Sequence, residues 1–200
     1  RASHILVKVD ETALPKDTLE AWTRINIIKN ALVGKLPTAL EIANYDKLLK
    51  NTTEVSKQLK NKDSVLYKSR IKGIKGLSET YQNAGGDKFQ ALAAALSDEP
   101  SASETKGDLN YFSALDMVYP FESAAYTTKV GEISPTVRTR FGYHVLKVYD
   151  KRPTRGEIVV SHIMAKFPKG ASDQDKANAK TKIDEIYGKL KAGQNFEELA

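Results

Sequence analysis

Two hundred residues with 40% hydrophobic and 28% charged side chains fit one large or two small globular domains and exclude fibrous and wholly disordered classes. The absence of cysteine excludes disulfide frameworks, Cys-ligated zinc, iron–sulfur clusters and thiol catalysis within the chain. Its apolar runs, such as Ala91–Leu96, fall far short of the roughly 20 residues a membrane-spanning helix needs. The net charge of +6 is concentrated in residues 35–86, where ten Lys or Arg face five Asp or Glu. With Tyr67 as the one aromatic among the basic residues Lys57–Lys75 and no recognition motif, that stretch reads as a solvated helical face rather than a nucleic-acid surface.

The chain opens on Arg1 rather than Met and enters a strand-like run, Ala2–Val9, at once. It stops at Ala200 inside a helical pattern, so both ends read as cuts from a longer protein, with any signal or anchor outside. Ala21, Ile25, Ile28 and Leu32 then recur at spacings of three and four, one face of a helix that meets Gly34. Leu40, Ala43, Leu48 and Leu49, then Val55 and Leu59, then Leu66, Ile71, Ile74 and Leu77 predict two or three amphipathic helices before Gly85-Gly86. A short Ala-rich helix runs from Phe89 to Leu96, and Ser97–Ser101 carries turn chemistry. Lys106–Phe112 reads as a turn into a strand, Pro120–Thr128 as a short helix, and Glu132–Val137 and Tyr143–Tyr149 as strands. Lys151–Gly156 is a polar linker marked by Pro and Gly. The order β-α-α-α-β-α-β-β around a small sheet is an α+β domain.

The chain also repeats itself. Ser3-His4-Ile5-Leu6-Val7-Lys8 returns as Ser161-His162-Ile163-Met164-Ala165-Lys166, an offset of 158 that also carries Ala21, Ile25, Ile28 and Leu32 onto Ala179, Ile183, Ile186 and Leu190. A strand-then-helix unit therefore opens twice, which favours two domains. From His162 to Phe196 is 34 positions, whereas from His4 to its matching Phe89 is 85, so the first copy holds about 51 extra residues within 35–86. The predicted division is a first domain over 1–152 with a helical insertion at about 35–86, a linker at 153–156, and a second, incomplete repeat over 157–200.

Six motifs in order give the chain a family likeness: ASHILVK at 2–8, FQALAAALSDEPSA at 89–102, KGDLNYF at 106–112, MVYPFESAAY at 117–126, VGEIS at 130–134 and TRFGYHVLKV at 139–148. Together they resemble the parvulin family of peptidyl-prolyl cis–trans isomerases, in the bacterial exported form of SurA- and PrsA-like foldases. The resemblance implies a parvulin-like fold, a small antiparallel sheet surrounded by helices, interrupted here by the helical insertion and followed by a truncated second parvulin repeat. It also implies isomerisation of X-Pro bonds in unfolded or nascent exported polypeptides, and an exported or periplasmic location. By this match His4 and His144 are the paired strand histidines with Thr139 as their hydrogen-bonded neighbour. Glu99 stands where the family carries Cys or Asp, facing the substrate carbonyl. Leu109, Met117 and Phe121 form the prolyl slot, and Phe141 its outer wall. Lys106 and Asn110 occupy positions where the family commonly has Gly. The loop Val9–Leu14 lacks the basic cluster of phosphate-directed relatives, so phosphorylated substrates are not expected.

The residues by themselves leave blander readings open: apolar Leu109, Met117 and Phe121 as core, strand histidines as structural, Glu99 as an exposed loop carboxylate. Rotation about an X-Pro bond breaks no covalent bond, so the reading calls for no metal and no cofactor, and His4, His144 and His162 are too scattered to argue for a metal. The alternative function is a non-catalytic chaperone module that holds extended segments in the same groove. A third reading is a scaffold whose basic insertion binds a partner or forms a homo-oligomer; deletion of 36–85 should then disturb that role alone.

Overall fold

In the computed structural model, which describes residues 1–60, 65–153, 156 and 159–200, the chain begins with β1 (Ala2–Lys8) and α1 (Pro15–Leu32). Residues 35–86, read from sequence as an insertion, contain α2 (Ala39–Asn51), α3 (Thr53–Lys60), α4 (Val65–Lys75) and α5 (Leu77–Asn83). Then come α6 (Lys88–Leu96), α7 (Ala102–Thr105), α8 (Tyr119–Thr127), β2 (Val137–Thr139), β3 (Gly142–Val148), α9 (Asp173–Lys191) and α10 (Phe196–Leu199). This is an α+β architecture on a three-stranded antiparallel sheet of order β1-β3-β2. Two compact units are present, Arg1–Thr154 and Arg155–Ala200.

Ile5-Leu6-Val7 of β1 are apolar without alternation because both faces of the strand are covered. Ile5 and Val7 enter the larger core together with Val145 of β3, Ile25 and Ile28 of α1, and Phe89 and Leu92 of α6. Its other face looks toward a smaller cluster in which Leu146 of β3 meets Phe121 and Ala125 of α8. α1 starts at Pro15, whose missing N–H costs a first turn nothing, and ends where Gly34 adopts φ +85°. Ala21, Ile25 and Ile28 are buried on the face their spacing predicts.

Several elements differ from the sequence reading. Residues 35–86 form four helices among the described residues, not two or three. The covered face of α2 runs through Ile42, Tyr45 and Leu49, while Leu40 is 69% exposed and Ala43 is exposed. The three-and-four spacing starts from Ile42, so Leu40 and Ala43, expected on the covered face, fall on the opposite side. The side chain of Leu59, along with Lys62, linker residues 154–155 and residues 157–158, lies outside the described residues.

Lys106–Phe112 does not extend into a strand. Lys106, Gly107 and Asn110 all take positive φ, which breaks the pleat after a single bridge between Ser3 and Asp108. Glu132–Val137 is likewise reduced to a bridge from Ile133 to Lys147. Pro135 supplies no N–H for a ladder, and pairing resumes at Val137.

In the second unit α9 opens on a capping box of Ser172 and Asp175, and Ala179, Ile183, Ile186 and Leu190 form a half-buried stripe. Ser161–Lys166, expected as a strand, forms none. Ile163 and Ala165 alternate toward the helix and line a pocket with Ala179 and Ile183. A strand needs a partner ladder; β1 has β3, whereas the described residues of the second unit contain no strand.

Candidate functional site

A cleft of about 590 Å³ opens on the sheet face opposite the larger core. The alternation of β1 sends Ile5 and Val7 to the core and His4 and Leu6 to the cleft, and β3 sends Val145 to the core, His144 to the cleft and Leu146 into the cluster beneath Phe121. His4, Glu99, Leu109, Met117, Phe121, Phe141 and His144 all line the cleft, and Thr139 sits directly behind His144. Residues up to 140 positions apart in sequence thus share one site.

The strand register places the two histidines. Leu6 pairs with His144 and His4 with Leu146, so His4 and His144 are diagonal neighbours on one face. Their Nδ1 atoms lie 3.3 Å apart and their rings stack with planes 15° apart. The Phe121 ring meets both edge-on, with centroid distances of 5.5 Å to His4 and 5.2 Å to His144. Thr139 Oγ1 lies 2.7 Å from His144 Nε2 and accepts the Phe141 N–H at 3.1 Å. Two proton arrangements satisfy this chain. Either the Thr139 hydroxyl donates to Nε2 and His144 Nδ1–H donates to His4, or both bonds run in reverse.

Both arrangements keep the rings neutral, as their burial demands. Desolvation pushes the His4 imidazole down to about 4. Desolvation, then the neighbouring His4 and Arg138, push His144 down to about 3. At neutral pH the histidine floor of the cleft carries hydrogen-bonding nitrogens but no charge.

Leu109 and Met117 are half-buried and Phe121 is 4% exposed, giving an apolar slot against the rings. Phe141 stands at the rim, 49% exposed, with the Arg140 guanidinium 4.7 Å over its ring. Glu99 is half-buried on a loop tied along the outer edge of β1. Ser97 Oγ accepts the N–H groups of Leu6 at 3.0 Å and Glu99 at 3.3 Å. The Asp98 N–H donates to the Leu6 carbonyl at 2.7 Å, and its carboxylate accepts the Lys8 N–H at 3.0 Å. This tie also covers polar groups that an edge strand would otherwise expose.

Two supports of the site were not foreseen from the sequence. Gly107 takes φ +73° and approaches β1 so closely that a Cβ there would lie 2.3 Å from the His4 carbonyl oxygen; its own carbonyl accepts the His4 N–H at 2.9 Å. Arg24, 5% exposed, holds Asp98 with Nη1 at 3.0 and 2.9 Å from the two carboxylate oxygens. The available signal was a charged pair, Glu20 and Arg24, spaced by four beside the apolar face of α1. Among the described residues, no group of three or more His, Asp or Glu could hold a metal ion.

Comparison with known proteins gives a consistent family. A family model described as PPIC-type PPIASE domain matches residues 53–152 and again 150–200. The first match contains every candidate site residue except His4, and the second contains His162, the repeat counterpart of His4. The foldase protein PrsA of Geobacillus kaustophilus is 37% identical over 101 residues, covering 50% of this chain and 36% of that protein. Foldase protein PrsA 1 of Bacillus cereus is 46% identical over 65 residues, covering 32% of this chain and 23% of the relative. The chain thus spans well under half the length of these relatives. A crystal structure of the peptidylprolyl isomerase PrsA from Bacillus cereus aligns with 70% of each chain at 23% identity and a TM-score of 0.33.

Proposed function

Because the chain belongs to the PPIC-type PPIase domain family, we propose that its first unit catalyses cis–trans isomerisation of X-Pro bonds in unfolded polypeptides without covalent chemistry. The observation that carries this reading is one cleft in which an apolar slot of Leu109, Met117 and Phe121 abuts two buried, neutral histidines and a half-buried carboxylate.

The barrier to overcome is about 18–20 kcal/mol and arises from amide resonance, whose charge-separated form water solvates well. A proline ring seated in the slot brings its amide out of water and removes that solvation. The twisted amide, which has lost the charge separation, suffers less from the move, so the slot binds it better than either planar isomer. Glu99 adds to the same difference. A carboxylate facing the carbonyl disfavours the planar form, whose oxygen carries extra negative charge. Lowering the barrier by about 5.4 kcal/mol corresponds to a ten-thousandfold acceleration, at 1.36 kcal/mol per tenfold. His4, His144 and Thr139 hold the floor of the slot in one geometry while keeping it uncharged. Phe141 closes the rim over the residue bound beside the proline.

The second match of the family model supports reading residues 157–200 as the opening of a second such domain, without the counterparts of Glu99, the prolyl slot or His144. PrsA-named relatives support clients among exported proteins and an exported location for this chain.

The test is cis/trans exchange by NMR on short Xaa-Pro peptides, with the wild type and Phe121→Ala. Acceleration by the wild type that the variant loses supports the isomerase and its slot. Peptide shifts that report binding without acceleration would instead make the cleft a holding groove.

A further inference from the structure

We propose that Arg70, carried by the helical insertion on α4, is a positioning residue for the loop that presents Glu99 to the cleft. The insertion thereby sets the geometry of the active site from outside it. The proposal rests on the isomerase reading of the cleft.

The loop is anchored at Asp98, the residue before Glu99. Besides the Lys8 N–H, the Asp98 carboxylate receives the guanidinium of Arg24, which also donates through Nη2 to the Leu96 carbonyl at 2.8 Å. Arg24 therefore grips both sides of Ser97, the hinge between α6 and the loop. A second carboxylate, Glu20 on α1, lies one turn from Arg24 and is 2% exposed. Its field acts on the Arg24 guanidinium together with that of Asp98.

What keeps Arg24 on Asp98 is that Glu20 is satisfied from elsewhere. Tyr45 of α2 donates its hydroxyl to Glu20 Oε1 at 2.6 Å, and Arg70 donates to Oε2 at 3.0 Å. Arg70 also extends Nη2 to 4.0 Å from Asp98 Oδ2. Two cations and two anions are thus balanced where charges are costly to leave unpaired. Both donors that satisfy Glu20 come from the insertion. Without Arg70, Glu20 keeps the Tyr45 hydroxyl, and Arg24, one turn along α1 and already within its field, would turn toward it and release Asp98. The planar fork of Arg suits this bridging position, and a Lys could not span both carboxylates.

The experiment uses the full chain with 15N-labelled protein and peptide exchange. Arg70→Met is expected to lower kcat about tenfold with KM for the peptide changed less than about twofold, as for a catalytic group moved by an ångström. The amides of residues 97–99 shift, while those around Phe121 stay in place. Adding Glu20→Gln removes the charge that draws Arg24 away and should restore both kcat and the 97–99 shifts. Should Arg70→Met fail to fold, Arg70→Lys retains a charge for Glu20 and should give smaller changes of the same kind.

Folded Arg70 variants with wild-type kcat and wild-type shifts at 97–99 would overturn the proposal, as would failure of Glu20→Gln to restore them. If the wild type itself does not accelerate exchange, the isomerase reading fails. The loop shifts then still decide whether Arg70 positions the loop.

Discussion

His4 and His144 face each other through their Nδ1 atoms at 3.3 Å, deep enough that neither ring holds a proton beyond its neutral complement near pH 7. The contact ties β1 to the centre of the sheet through side chains as well as the ladder. It also makes folding sensitive to pH in a window set by these two residues.

In the unfolded chain each imidazole titrates near its ordinary 6.5, whereas in the folded chain His4 does so at about 4 and His144 at about 3. Between roughly pH 6.5 and 4 the unfolded state binds protons that the folded state refuses. The histidine contribution is therefore fully present above 6.5 and is lost as pH falls, by about 1.4 kcal/mol per pH unit for each ring. Carboxylates such as Asp108, held down by the Arg1 guanidinium, respond only at lower pH. Urea unfolding at pH 7.5 and 5.0 should differ by about 3–4 kcal/mol, and turnover should show no inflection near pH 6.5. Equal stability at the two pH values would show that the rings are not buried neutral.

Thr139→Val keeps the shape of the side chain and removes its oxygen. His144 Nε2 and the Phe141 N–H then lose their shared partner, at a cost of about 1–3 kcal/mol for a buried polar group left unmatched. Thr139→Ser should recover most of that loss. Denaturation of the two variants, with 15N shifts of the His144 ring to read its tautomer, checks both expectations. A fully stable valine variant would mean the hydroxyl is dispensable to the histidine floor.

Glu99 offers the opposite balance. Its carboxylate is half-buried at the cleft and the loop is held by the backbone and by Asp98, so Glu99→Gln should change stability by no more than about 0.5 kcal/mol. Turnover should nevertheless fall by about tenfold, equivalent to 1.36 kcal/mol of barrier, because charge rather than shape is removed. Glu99→Asp, shorter but charged, should fall between the two. Peptide exchange measured beside thermal unfolding separates the effects, and unchanged turnover in the glutamine variant would reduce Glu99 to a surface carboxylate.

Much of this was readable from the chain because motifs and periodicity report local and repeated demands. The face of α1 follows from Ala21, Ile25 and Ile28, and the residues of the cleft from six motifs in order. What could not be read depends on pairing and on charge. The strand expected at Lys106–Phe112 fails because positive φ at Lys106, Gly107 and Asn110 is a backbone property that local hydropathy does not report. Ser161–Lys166 has the same pattern as β1 but no β3 beside it. The link from Glu20 and Arg70 to Asp98 joins residues up to 78 positions apart, and the spacing of Glu20 and Arg24 beside the apolar face of α1 is its one local sign, with none at Arg70 or Asp98.

The helical segment 36–85 shows how far that distinction reaches. From sequence, residues 36–85 looked separable from the domain they interrupt. In the folded chain Tyr45, Leu49, Val55, Ile71, Ile74 and Leu77 belong to the same core as Ile25, Ile28, Phe89 and Leu92. Replacing 36–85 with a short Gly/Ser linker should therefore uncover one side of α1 and α6 and abolish cooperative unfolding, not merely remove an appendage. Two point variants grade the claim. Leu49→Ala, at a fully buried position, should cost about 2–5 kcal/mol. Leu40→Ala, on the exposed side of the same helix, should cost no more than about 0.5 kcal/mol. If the deletion variant unfolds cooperatively and keeps its turnover, the shared core is not what stabilises the sheet. The site would then have to be held by β1, β3 and α8 alone.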